Sequence, residues 1–273
     1  MRWTLEDINW DAFDPDSVDR ELLKAVKAAA LVEFNSPDYV SYLKGVFSDR
    51  PELGPDFEQW GREEAQHGRA LSAWARLADP SFDFEDAFAR FREMQGIDTA
   101  AVESIRGSRA GEMVARCVVE SGTSSFYTAI KDNTDEPCLK QIVTYMAADE
   151  FAHYRLFYDI FKDYAEREPI SPLRRFFVAV GRVNEADDHE LASAYYCANH
   201  APDAAEPYDV RTHAQAYQLR ALGVYSEHHI VRLVSMVLRA GGLMPHSRLS
   251  NLLCQLTWRG WCMRRRRLER AAA

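Results

Sequence analysis

The chain has 273 residues, of which 47% are apolar and 27% charged, and a formal net charge of −9. That is enough apolar residue to bury a sizeable core in one or two domains, and the acidic balance argues against a general nucleic-acid binder. Five cysteines, odd in number, scattered and without a Cys-x-x-Cys pair, exclude a disulfide framework and point to a reducing cytoplasmic setting.

The opening MRWTLEDINW has no basic segment followed by an apolar one, and no run approaches eighteen apolar residues, so neither secretion nor membrane spanning is expected. Helical periodicity dominates from there on, and no alternating strand pattern interrupts it. A first helix is expected from Ser17 as N-cap, with Leu22, Val26, Ala29 and Glu33 on one stripe and an end near Asn35-Ser36-Pro37. A short helix follows, then the PELGP loop at 51–55. The next, long helix carries the stripe Phe57, Trp60, Glu64, His67, Leu71 and Trp74. Asp79-Pro80 breaks it, and a linking helix spans Phe84 to Met94.

A third long helix, from about Ser108 to Lys131, puts Met113, Cys117, Glu120, Ser124 and Tyr127 on one face. The next is expected to cap near Thr134, with Asp135 and Glu136 in its first turn, where the helix dipole favours acids. Its stripe is Leu139, Ile142, Met146, Phe157 and Ile160, and it passes through Glu150 and His153. Three further helices are expected at about Pro172 to Ala198, with Ser171-Pro172 as N-cap and N1, at Val210 to Ala240, stopped by Gly241-Gly242, and at His246 to Leu268. The fold class is therefore all-α, and no phosphate loop or dinucleotide fingerprint appears.

Four of these helices place a glutamate on an apolar stripe, in the order Glu33, Glu64-x-x-His67, Glu120, Glu150-x-x-His153. Residues at i and i+3 share a helix face, so each Glu and His pair can reach one point. Glu64 follows Glu33 by 31 residues and Glu150 follows Glu120 by 30, which makes two helical hairpins of nearly equal size. Packed about a pseudo-two-fold, they would gather four carboxylates and two imidazoles at mid-bundle, the ligand set of ferritin-like di-iron and di-manganese proteins. Buried carboxylates without such neutralisation would have to take up protons. Oxygen and imidazole donors without thiolate suit iron or manganese. Glu33 is preferred over Glu21, which has a less apolar setting, and Glu120 over Glu112, which lies where a carboxylate would simply favour the helix start.

The pair Glu63-Glu64-Ala-Gln-His67-Gly68 resembles the EExxHG motif of soluble acyl-carrier-protein desaturases, and Asp149-Glu150-Phe-Ala-His153 resembles their DExxH motif. The resemblance covers about 33–153 and implies a single ferritin-like domain, with its core bundle at about 17–166 and added helices at about 170–268. It implies two iron ions at the six ligands, with manganese as the alternative occupant, and a dimer through the early helices. It also gives Thr123, three residues after Glu120, the part of a group that helps deliver a proton to oxygen intermediates. Asp149 and Glu63 fall where outer-sphere carboxylates would orient the ligand histidines. Aldehyde-deformylating oxygenases are similar in size and ligand spacing. Rubrerythrin-type peroxide reductases carry an extra glutamate where this chain has Thr123.

The function expected from this resemblance is O2-dependent desaturation or oxygenation of an apolar, acyl-type substrate, carried or not on acyl carrier protein. Electrons would come from a separate ferredoxin or reductase. A peroxide-reducing or metal-handling protein and a metal-free helical protein are the alternatives. Tyr127, Tyr145, Tyr154, Phe126, Phe151, Trp60 and Trp74 read as core before channel, and Glu227-His228-His229 as surface or satisfied core before ligands. Trp258 to Arg267 joins indoles to a run of arginines, a solvated helix end or a docking face for an acidic carrier or an anionic membrane surface.

Overall fold

A computed structural model describes residues 2–185, 189–202, 206–245 and 247–272. Among these the chain is helical and contains no strand. The elements are α1 (Arg20–Phe34), α2 (Ser36–Val46), α3 (Gly54–Ala78), α4 (Phe84–Met94), α5 (Arg109–Asn133), α6 (Pro137–Arg167), α7 (Pro172–Glu185), α8 (His189–Asn199), α9 (Val210–Gly223), α10 (Glu227–Ala240) and α11 (Arg248–Ala272). Among the described residues no helix is long and apolar enough to cross a membrane. The chain divides into two compact units. One comprises residues 1–102, 131–145 and 187–221, and the other 103–130, 146–186 and 222–273.

In the first unit α1 packs on α3 and α8, α2 on α3, and α4 on α8. The α1 to α3 contact is close because Gly68 offers no side chain. A Cβ there would lie 2.7 Å from the Phe34 nitrogen and 2.8 Å from the Ala30 carbonyl oxygen, both α1 backbone atoms. The start of α6 is fixed by Glu136, which is fully buried. Its carboxylate accepts from the amides of Cys138 and Leu139, from the amide of Asp14 at 3.1 Å and from Trp74 Nε1–H at 2.6 Å. In the second unit α10 packs on α11 and α7. Ser124 donates to the Ala147 carbonyl, which links α5 to α6, and Arg109 pairs with Glu168.

Several boundaries differ from expectation, each for a local reason. The N-cap of α1 is Asp19, whose Oδ1 accepts from Glu21 and Leu22, whereas Ser17 is turned to Asp14. Glu136, rather than Thr134, caps α6, and Thr134 Oγ1 accepts from the Glu136 amide. The helix expected over 172–198 is recorded as α7 and α8. Residues 186–188, between them, lie outside the described residues. The helix expected over 210–240 breaks at 224–226, where Ser226 becomes the N-cap of α10 in a reciprocal pairing with His229. The expected start of the last helix at His246 lies outside the described residues. Ser171 and Pro172 open α7 as expected, and Gly242, at φ +87°, follows the end of α10.

Candidate metal centre

The apolar stripes put all six expected ligands inside the protein: Glu33, Glu64, His67, Glu120, Glu150 and His153 are each no more than 7% exposed. In the first unit the close approach of α1 and α3 at Gly68 brings Glu33 to the face bearing Glu64 and His67. His67 Nδ1 lies 3.4 Å from Glu64 Oε2 and 3.9 Å from Glu33 Oε2. In the second unit His153 Nδ1 lies 3.7 Å from Glu120 Oε2 and 3.9 Å from Glu150 Oε2. Each unit thus holds the same triad of two carboxylates and one imidazole, with the same ring nitrogen turned to both carboxylates. Within each triad the ligand atoms lie within 4.8 Å of one another.

These separations suit a first-row divalent ion. Donors about 2.1 Å from a common cation stand roughly 3.0 to 3.6 Å apart, and the imidazole-to-carboxylate distances of each triad exceed that range by no more than a few tenths of an ångström. The donor set, hard oxygens with imidazole and no thiolate, is one that iron and manganese accept. Burying two carboxylates beside an imidazole in each unit is costly unless charge is cancelled, and a divalent ion cancels the two carboxylates of a triad.

The surroundings add residues that periodicity did not reveal. Trp3 lies flat on the His67 ring, with centroids 6.0 Å apart and planes at 9°, and its carbonyl accepts from Gln66 Nε2 at 2.9 Å. Tyr217 of α9 is buried, and burial together with the charge of Glu33 pushes its phenol well above the usual range. In the second unit burial and then the Glu120 carboxylate push the Cys117 thiol far up, which keeps it protonated. Burial likewise raises Tyr154, whose hydroxyl donates to the Met236 carbonyl.

Thr123 Oγ1 is 2.6 Å from Glu150 Oε2 and 3.3 Å from the carbonyls of Val119 and Glu120. Its one proton goes to the shortest of these contacts, the charge-assisted one to the carboxylate. Glu63 and Asp149 are both buried, and Glu63 accepts from Gln59 Nε2 at 2.7 Å. The rivals have other work. Glu21 is exposed and pairs with Lys24 and Arg220, while Glu112 accepts from Ser104 and pairs with Arg116.

Of the aromatic residues singled out, Trp60, Trp74, Phe126, Tyr127 and Tyr154 are core, whereas Phe151 is exposed beneath Arg232. His229 is a buried helix cap, and Glu227 and His228 lie at the surface. Trp261 is anchored against Tyr225, with its indole N–H on the Leu222 carbonyl, and Arg264 to Arg267 are exposed along α11. No protein-family model matches the chain, and no curated protein matches it.

Proposed function

We propose that Glu33, Glu64, His67, Glu120, Glu150 and His153 hold a pair of iron ions, as in ferritin-like proteins, and that the protein is an O2-dependent di-iron oxidoreductase acting on an apolar, acyl-type substrate. The observation that carries this reading is the match between the triads in donor type, ring nitrogen, burial and sequence interval. Two unrelated buried clusters have no reason to repeat all four. Four carboxylates and two divalent ions also give a site without net charge. When bound, an iron pair supplies the two-electron reduction of O2 and the oxidising power to take hydrogen from an aliphatic carbon.

The chain's own residues would do the rest. Glu33, Glu64, Glu120 and Glu150 bind and neutralise, and His67 and His153 fix position through Nδ1. The apolar stripes exclude water, which strengthens every charge interaction inside. Thr123 holds a proton at Oγ1, 2.6 Å from the Glu150 carboxylate, and would supply it from there to the chemistry at the site. With no flavin or nicotinamide fingerprint in the sequence, electrons would come from a separate ferredoxin or reductase, and the arginine face of α11 suits an acidic carrier.

The reading is tested on protein purified from iron-supplemented culture. About two iron ions per chain with a magnetically coupled diferric signature, and O2 uptake that depends on a fatty-acyl substrate, are expected. Two uncoupled ions would refute the dinuclear assignment. Rapid turnover of H2O2 without organic substrate would move the activity to peroxide reduction.

A further inference from the structure

A third cluster of metal-ligating side chains stands apart from both triads, in the first unit, where α8 ends and α9 begins. His200 lies one residue beyond α8, Glu206 in the connection, and His213 in the first turn of α9. Their ligand atoms lie within 4.8 Å of one another. His200 Nε2 is 3.4 Å from Glu206 Oε2, and His213 Nε2 is 4.0 Å from Glu206 Oε1.

Each histidine spends its other nitrogen on its own helix. His200 Nδ1 is 3.2 Å from the Tyr196 carbonyl and His213 Nδ1 is 2.7 Å from the Asp209 carbonyl, four residues back in both cases. The Asp209 amide is also near His213 Nδ1, but at 3.2 Å, so the carbonyl contact is the stronger and takes the Nδ1–H. Both rings are then in the tautomer that leaves a lone pair on Nε2. An imidazole whose outer N–H is held by a carbonyl while the other nitrogen faces a carboxylate is how metal-binding histidines are oriented. Tyr196 stacks on His200 at 5.0 Å and meets His213 edge-on at 4.9 Å, which fixes both ring planes.

The second observation is His213 itself. It is only 2% exposed, yet among the described residues its Nε2 has no hydrogen-bond partner, and at 4.0 Å the Glu206 oxygen is too far to be one. A buried nitrogen lone pair aimed at a carboxylate is stabilised if a cation stands between them. Tetrahedral donors at zinc distances are about 3.4 Å apart, the separation that His200 and Glu206 already show, and the exposed Glu206 side chain can turn to shorten the other.

We propose that His200, Glu206 and His213 form a mononuclear site for a first-row divalent cation, best suited to zinc, that clips the end of α8 to the start of α9. Two imidazoles and one carboxylate leave the fourth zinc position to water. The site shares no residue with the proposed dinuclear centre.

The probe is ZnCl2, added to the full iron-loaded chain followed by dialysis and elemental analysis. Glu206→Gln, at an exposed position, and His200→Gln are compared with wild type, with circular dichroism to confirm folding. Wild type is expected to retain about one zinc per chain more than either variant, and zinc is expected to raise its melting temperature but not theirs. Zinc taken up at the iron ligands would be common to all three proteins and cancel in the difference. If folded Glu206→Gln keeps as much zinc as wild type, the cluster is an ordinary histidine and glutamate ion pair and the proposal fails.

Discussion

The substitution Gly68→Ala puts the α1 to α3 contact under direct strain. In an exposed helix interior this exchange gains about 1 kcal/mol of helix propensity. Here the new Cβ would meet the Phe34 nitrogen at 2.7 Å and the Ala30 oxygen at 2.8 Å. Both belong to the α1 backbone, which cannot rotate aside as a side chain can, so α1 must retreat by about 0.7 Å to reach ordinary contact distance. Overpacking of this kind costs about 1–3 kcal/mol, so the propensity gain is erased and a net loss of up to about 2 kcal/mol is expected. The same retreat carries Glu33 away from His67, from 3.9 Å to beyond what one cation can bridge.

The assays are thermal melting of the metal-free protein and iron content after reconstitution. Gly181→Ala in α7 is the control, because a Cβ there meets nothing within 4 Å. The control should melt slightly higher and Gly68→Ala a few degrees lower, with reduced iron. If Gly68→Ala melts above wild type and takes up full iron, α1 does not depend on that contact and the placement of Glu33 is wrong.

Glu150→Ala removes a proposed ligand and the acceptor of Thr123. Iron is expected to fall from about two to about one or fewer per chain by elemental analysis, and full occupancy would remove Glu150 from the ligand set. Thr123→Val keeps shape but loses the proton at Oγ1, so iron content should hold while O2-dependent turnover slows. An unchanged solvent isotope effect would show that the hydroxyl carries no proton in the slow step. Asp79 offers a pH test. Burial works against its ionisation, yet the hydrogen bonds from Lys27 and Ser81 hold its carboxyl down at about 2, against an ordinary 3.8. A depressed carboxyl contributes stability above its unfolded value and loses it as pH falls. The stability gap between wild type and Asp79→Asn should therefore be full above about pH 4 and close as pH drops through about 2, and a gap independent of pH would contradict the pairing.

The stripes that located Glu33, Glu64, Glu120 and Glu150 were legible because a helix core repeats every three to four residues, and polar groups falling on that repeat have to be inside. Thr123 was visible only by resemblance, and its actual partner, Glu150, could not be read from sequence because the bond joins two helices. Trp3 and Tyr217 lie far from the motifs in the chain and follow no period shared with them. The helix break at 224–226 was missed because apolar spacing continues across it, and it depends on His229 accepting from the Ser226 amide. His200, Glu206 and His213 went unnoticed for a related reason. Their intervals of six and seven residues match no helical ligand pattern, and the carboxylate sits between two helices rather than on one.

The ring of Trp3 gives the protein a built-in optical reporter. An indole parallel to the imidazole of His67, with ring centres 6.0 Å apart, is a fluorophore beside a proposed ligand, and an open-shell ion arriving there would quench its emission. The difference spectrum between wild type and Trp3→Phe isolates that indole from the other tryptophans. Loading and loss at the first triad could then be followed in real time, in dilute solution and without a label.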